Sequence, residues 1–142
     1  MHRTAILERN LMLLHGIAEK LEESPDFSVA GAVQETEDFF DILGQSPVDL
    51  ALIGIYKQNA INCVKVANRL KAEYPKIKTL VLIFDYEETE SKVQKMLKLG
   101  ATAAIEINQV PDMETLKARL AEVATAETKI GLIPPHLVIR NL

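Results

Sequence analysis

The stretch DLALIGIYKQ, residues 49 to 58, contains the apolar run that decides the fold class. Residues 50 to 53 are aliphatic without alternation, and so is most of TLVLIF at residues 79 to 84. Strands of a parallel sheet that is covered on both faces have such continuous apolar runs, because neither side of the strand meets water. Both stretches are therefore predicted to be central strands of a parallel sheet.

The rest of the chain alternates between short apolar runs and amphipathic stretches. Strands are also predicted at residues 4–7, 27–33 and 102–107, and helices at residues 10–23, 35–45, 59–74, 88–99 and 112–125. In the last helix Leu116, Leu120 and Val123 recur at helical spacing. Because crossovers between parallel strands are right-handed, we expect an α/β doubly wound three-layer sandwich with a five-stranded parallel sheet in the order 2-1-3-4-5.

Composition restricts the class of protein. The 142 residues are 48% hydrophobic, which suits a single domain with its own core. A net charge of −4 without a basic stripe makes nucleic-acid binding by this chain unexpected. A single cysteine, Cys63, excludes an internal disulfide framework and a cysteine-based zinc cage. No apolar run is long enough to cross a bilayer, so we expect a cytoplasmic protein without membrane contact.

The working site of a doubly wound sheet lies beyond the carboxyl ends of its strands, where the first and third strands diverge. This rule selects Glu8, Arg9, Gly54, Ile55, Asp85 and Ile107. A hard cation needs several converging oxygen ligands. Only Glu8 and Asp85 offer carboxylates, and Arg9 places a positive charge beside Glu8. We therefore expect no catalytic residue, no metal and no cofactor.

Over nearly its whole length the sequence resembles the receiver domain of bacterial two-component response regulators. The resemblance rests on Pro-Asp, Arg-Leu, Pro and Gly-Ala signatures within ESPDFSVAGAV (23–33), SPVDLALIGI (46–55), RLKAEYPKIKTLVLI (69–83) and KLGATAAIEI (98–107). It implies a flavodoxin-like fold and a role in signal transduction rather than an enzyme.

The same resemblance implies that the phosphoacceptor site is degenerate. The acceptor aspartate that ends the third strand is replaced by Gly54, and the pair of acids after the first strand becomes Glu8 and Arg9. The switch hydroxyl of the fourth strand becomes Ile83, and the lysine of the fifth becomes Ile107. Nucleophile, metal clamp and charge stabilisation are lost together. The resemblance therefore implies a phosphorylation-independent receiver, or pseudo-receiver.

The tail ETKIGLIPPHLVIRNL, residues 127–142, resembles the segment that joins the receiver to a helix-turn-helix domain in LuxR-type regulators. We expect a receiver-like domain at residues 1–126 and a linker at 127–142. The chain then belongs either to a longer transcription regulator or to a stand-alone receiver-like protein. Contact with DNA is expected only through a C-terminal domain outside this chain, and other regulator proteins are possible partners.

The first helix is predicted to carry a dimer interface. Alignment with the family places its buried side at Met12, Leu13, Gly16, Ile17 and Leu21. Leu11, Leu14 and Ala18 then form a second apolar stripe, and a helix that packs on a core needs only one. An exposed second stripe predicts a homodimer, with the fifth helix completing the contact.

Three features of the degenerate pocket remain hypotheses. Arg9 is expected to lie over the pocket and to pair with Glu8 or Asp85. Tyr56 and Lys57 either close the pocket, meet a partner or are simply exposed. The pocket itself is either inert or binds a small-molecule effector in place of phosphate.

Overall fold

The computed structural model describes residues 1–56, 62–110 and 112–133 and contains a six-stranded parallel sheet. The strands are β1 (His2–Leu7), β2 (Phe27–Val33), β3 (Leu50–Ile55), β4 (Lys78–Ile83), β5 (Ala103–Glu106) and β6 (Gly131–Leu132). The helices are α1 (Leu11–Glu22), α2 (Thr36–Gln45), α3 (Cys63–Glu73), α4 (Tyr86–Lys98) and α5 (Met113–Thr125). The strand order β2-β1-β3-β4-β5-β6 confirms the predicted fold class and the order of its five strands.

The core consists of two apolar layers, one on each face of the sheet. Leu7 of β1 and Ile53 of β3 belong to the layer covered by α2, α3 and α4. Their neighbours Ile6 and Leu52 belong to the layer covered by α1 and α5. All six residues of β3 are buried, which is the physical origin of its continuous apolar sequence.

Short polar side chains set the starts of four helices. Each accepts a hydrogen bond from the backbone N–H three residues later, and the four caps are Asn10, Asn62, Asp85 and Asp112. The cap at Asp85 starts α4 two residues before the predicted boundary. The predicted start of the third helix, at residues 59–61, lies outside the described residues. Gly100 follows α4 with a φ of +113°, a conformation that favours glycine.

The short strand β6 extends the folded unit beyond the predicted boundary at residue 126. It runs parallel to β5, and the backbone N–H of Ile133 donates to the Ala104 carbonyl over 2.8 Å. Ile133 is buried, and the Lys129 ammonium donates to the Leu97 carbonyl near the end of α4. A two-residue strand is too short to produce a sequence pattern, so residues 127–133 were not separated from the predicted linker. Its remainder, 134–142, lies outside the described residues.

The buried face of α1 differs from the prediction. Leu14, Ile17 and Leu21 face the core, and Leu14 is only 2% exposed. Met12, predicted to be buried, is 87% exposed, and Leu11 is 50% exposed. Intervals of three and four place the three buried residues on one side of a helix, whereas Met12 projects from another side. The predicted exposed stripe is therefore wrong at Leu14, although Leu11 is exposed.

Three other residues of α1 lie between these extremes. Leu13 and Ala18 are half-buried against the core layer that α1 and α5 cover, and Gly16 is half-buried as well. Across the described part of the chain, no helix combines the length and apolarity needed to cross a membrane.

The burial of α1 predicts unequal effects of two leucine truncations. Leu14→Ala should lower the free energy of unfolding by about 2 to 5 kcal/mol, because it removes buried methyl groups and leaves a cavity. Leu11→Ala should cost much less, because half of that side chain already meets water. Denaturant titration followed by circular dichroism compares the two, and equal losses would contradict the observed orientation of α1.

Candidate functional site

The candidate site lies where β1, β3 and β4 end at the same edge of the sheet. Glu8 follows β1 directly, Gly54 is the penultimate residue of β3, and Phe84 follows β4. The Glu8 N–H donates to the Val33 carbonyl over 3.0 Å, and the Phe84 N–H donates to the Ile55 carbonyl over 3.3 Å. The strand ends therefore have a fixed relative position.

Glu8 points into the protein rather than into solvent. The residue is only 1% exposed. Its Oε2 accepts hydrogen bonds from the Asn10 backbone N–H, over 2.7 Å, and from the Tyr56 hydroxyl. Its Oε1 is buried and has no hydrogen-bond partner among the described residues. One oxygen of the carboxyl group thus has two donors, and the other has none among the described residues.

The Glu8 carboxyl group occupies the space that a side chain at position 54 would need. A Cβ atom added to Gly54 would overlap Oε1 of Glu8 and lie 2.9 Å from its Cδ. It would also lie 3.4 Å from Cε2 of Phe84, an ordinary contact at the lower limit. A side chain at position 54 therefore requires the Glu8 carboxyl group to move, and the restriction is one of space because Gly54 does not adopt a positive φ.

Two aromatic rings close the site. The rings of Tyr56 and Phe84 stack with centroids 4.2 Å apart and planes inclined by 8°. Tyr56 is half-buried, and its hydroxyl reaches Glu8. Tyr56 therefore closes the pocket, which is one of the three roles considered for it. Lys57 lies outside the described residues.

Phe84 is not among the predicted site residues, although the sequence contains a pattern that could identify it. Ile55 pairs with Ile83 across β3 and β4. Tyr56 and Phe84 are the next residues of these adjacent strands, so two aromatic rings follow the strands at matching positions. A pair of aromatic residues just after adjacent parallel strands is the pattern that predicts such a stack.

Arg9 does not lie over the pocket, and the predicted pairing with Glu8 or Asp85 is wrong. Its guanidinium donates to Oε1 of Glu35 over 2.7 Å at the exposed start of α2. Pairing with the buried Glu8 would remove the guanidinium from water, which costs more than an exposed ion pair. Arg9 therefore forms an ion pair at the protein surface rather than in the pocket.

The other predicted site residues do not converge on Glu8. Asp85 is exposed and caps α4 through the Glu88 N–H, over 3.3 Å. Ile83 is fully buried in the core layer under α2, α3 and α4. Ile107 begins a single 3₁₀ turn, Ile107–Gln109, and packs against the opposite layer. The structure brings together Glu8, Gly54, Tyr56 and Phe84.

Burial dominates the electrostatics of the site. It raises the pKa of Glu8 above the ordinary value of 4.5, although the hydrogen bonds from Tyr56 and Asn10 oppose the shift. Burial and the neighbouring Glu8 carboxyl group also raise the pKa of Tyr56. Burial therefore makes ionisation of both groups harder than it is in water.

Comparison with solved structures gives the same architecture repeatedly. A LuxR family DNA-binding response regulator from Silicibacter pomeroyi superposes with a TM-score of 0.70 at 18% identity, covering 94% of this chain and 98% of that one. The isolated receiver domain of RcsB from Salmonella enterica serovar Typhimurium gives a TM-score of 0.74 at 13% identity, with both chains fully covered. The fold is that of a response-regulator receiver domain.

A longer neighbour extends the comparison. RcsB, in a structure described as two dimers bound to two parallel DNAs, matches with a TM-score of 0.74 at 17% identity, over 98% of this chain and 66% of that chain. No protein-family model matches the sequence, and no curated protein sequence matches it.

The residues at this edge do not fit the Mg²⁺ ion that the receiver fold implies. Mg²⁺ requires octahedral oxygen coordination, usually with carboxylates. Among the described residues at this edge, Glu8 has the one buried carboxyl group, Arg9 points to Glu35, and Asp85 caps a helix. Within the described residues no group of three or more His, Cys, Asp or Glu side chains could hold a metal ion.

The raised pKa of Glu8 predicts a pH dependence of stability. Between the unfolded value, near 4.5, and the higher folded value, the native state binds more protons than the unfolded state, so stability falls as pH rises. Relative to Glu8→Gln, the wild type should therefore lose stability across this interval. Unfolding titrations at several pH values measure the difference.

The matched control is Glu35→Gln, which removes an exposed carboxylate near the same edge. A loss of slope that occurs in Glu8→Gln and not in Glu35→Gln assigns the pH dependence to Glu8. Parallel curves for wild type and Glu8→Gln would contradict the raised pKa of Glu8.

Proposed function

We propose that the chain is a phosphorylation-independent receiver that acts as a regulatory and dimerisation module in signal transduction, not as an enzyme. The observation that carries the proposal is the Glu8 carboxyl group beside Gly54, in the space where the resemblance expects an acceptor aspartate. Since Gly54 offers no nucleophile and no metal-binding group is found among the described residues, aspartyl phosphate formation has no chemical basis in the part of this edge that the structure describes.

The hydrophobic replacements support the same proposal. Ile83, which stands for the switch hydroxyl, is fully buried, and Ile107, which stands for the lysine, packs on the core. Neither side chain can bind a phosphoryl oxygen. We propose that signalling depends on association with protein partners rather than on a phosphate switch. A small-molecule effector at this site would have to displace Glu8, and no observation favours it.

Phosphorylation is tested directly on the protein. Incubation with acetyl phosphate, or with beryllium fluoride, in the presence of Mg²⁺ should leave the intact mass and the amide spectrum unchanged, because position 54 has no aspartate and the Glu8 carboxyl group is buried and held by hydrogen bonds. A receiver domain with an acceptor aspartate serves as the positive control. A Mg²⁺-dependent phosphoryl adduct on this chain would refute the proposal.

We further propose a homodimer that uses the start of α1. Leu11 and Met12 expose large apolar side chains there. α1 packs beside α5, where the Lys20 ammonium pairs with Glu114 over 2.8 Å. The neighbouring RcsB structure contains dimers bound to DNA. For this chain we assign DNA contact to a separate domain of a transcription regulator, because a net charge of −4 opposes binding to phosphate backbones.

Association should be present in the untreated protein, since no phosphate gates it. Sedimentation at tens of micromolar should give a dimer for the wild type and a monomer for Met12→Glu, which places a charge in the proposed interface. Ile130→Glu, at an exposed apolar residue beside β6, is the control and should stay dimeric. A monomeric wild type would refute the homodimer. A dimer that Met12→Glu leaves intact would show that the interface lies elsewhere.

A further inference from the structure

We propose that Glu8 is a built-in plug and that Glu8, Tyr56 and Phe84 form a latch that keeps the phosphoacceptor pocket filled from within. Gly54 alone would abolish phosphorylation. The Glu8 plug in addition fills the space of the missing group and connects the ends of β1, β3 and β4.

The first support is steric. The Glu8 carboxyl group and a side chain at position 54 cannot share the pocket, because the added Cβ would overlap Oε1. The absence of a side chain at Gly54 and the inward position of the Glu8 carboxyl group are therefore sterically complementary. A glycine that merely shortened a strand exit would leave its side-chain volume open, whereas here a side chain from another strand occupies it.

The second support is the pair of donors that hold the plug. Glu8 has a flexible side chain and follows β1 at the edge of the sheet, so a path to solvent would normally be preferred over burial of a carboxyl group. The Asn10 N–H and the Tyr56 hydroxyl both donate to Oε2 and keep the side chain turned inward. The buried position is thus selected by specific partners.

The third support is the aromatic cover. The ring of Tyr56 stacks on that of Phe84 while its hydroxyl binds Glu8. Tyr56 therefore contacts a residue after β1 and a residue after β4 from its own place after β3. Loss of the plug would remove the partner of the Tyr56 hydroxyl and free the ring to move.

Restoring an acceptor aspartate at position 54 would disturb the Glu8 plug. Gly54→Asp supplies the missing carboxylate but expels Glu8 from the pocket and opens the latch. Positions 8 and 54 form one unit, so a change at one of them has a different effect when the other has already been changed.

A double-mutant cycle tests this unit. Gly54→Ala should reduce the folding equilibrium constant about tenfold in the wild-type background, the scale of one to two net hydrogen bonds lost when Glu8 is expelled. In the Glu8→Ala background the same change should have little effect, because the space is free. Equal effects of Gly54→Ala in the two backgrounds would overturn the plug.

Gly16→Ala is the matched control, since a Cβ at Gly16 meets no atom within 4 Å. Its effect should be the same with and without Glu8. If Gly54→Ala does not fold alone, the double variant decides: recovery of folding supports the plug, and failure beside a folded Glu8→Ala overturns it.

A spectroscopic measurement tests the latch separately from stability. In Gly54→Ala the ring resonances of Tyr56 should shift, because its hydroxyl loses Glu8, while those of Tyr74 near the end of α3 should not. Unchanged Tyr56 resonances would refute the latch. These outcomes are independent of the acetyl phosphate experiment, so the plug can fail while the absence of phosphorylation stands.

Discussion

Burial of the central strands on both faces is the constraint on which the rest of the structure depends. β3 and most of β4 have no solvent-facing side, so helices must cover both faces, and each crossover must pass from one strand to a parallel neighbour. All strands then end at one edge of the sheet. The chemistry of that edge is decided by the residues at the strand ends, and here those residues form a closed apolar and hydrogen-bonded cluster.

In this cluster, packed apolar side chains stand where a cation and phosphoryl site would have charged groups. A site for a cation and a phosphoryl group needs several carboxylates and a positive charge that remain hydrated in the free protein. This edge instead has glycine, isoleucine, two stacked aromatic rings and one inward carboxyl group. Desolvation raises the pKa of Glu8, because burial penalises its charged form.

The incorrect predictions share a physical cause. Alignment with the family predicts that Met12 faces the core, but Leu14 is buried instead, because it lies on the same side of the helix as Ile17 and Leu21. The place of Arg9 in the sequence predicts a position in the pocket, yet Glu35, at the start of α2, offers an exposed carboxylate that requires no desolvation. Side-chain direction depends on partners from other elements, and those partners are distant in the sequence.

The fold class, the order of the five main strands and the set of residues at the strand ends could be predicted from the sequence, because apolar periodicity and helix caps are local properties. The sequence also predicts that Gly54 lacks the group expected there. The positions of Glu8 in that space, of Tyr56 and Phe84 over it, and of β6 at the edge of the sheet could not be predicted in this way. Each of these depends on contacts between segments far apart in the chain, and packing and desolvation at such contacts leave no periodic pattern along the sequence.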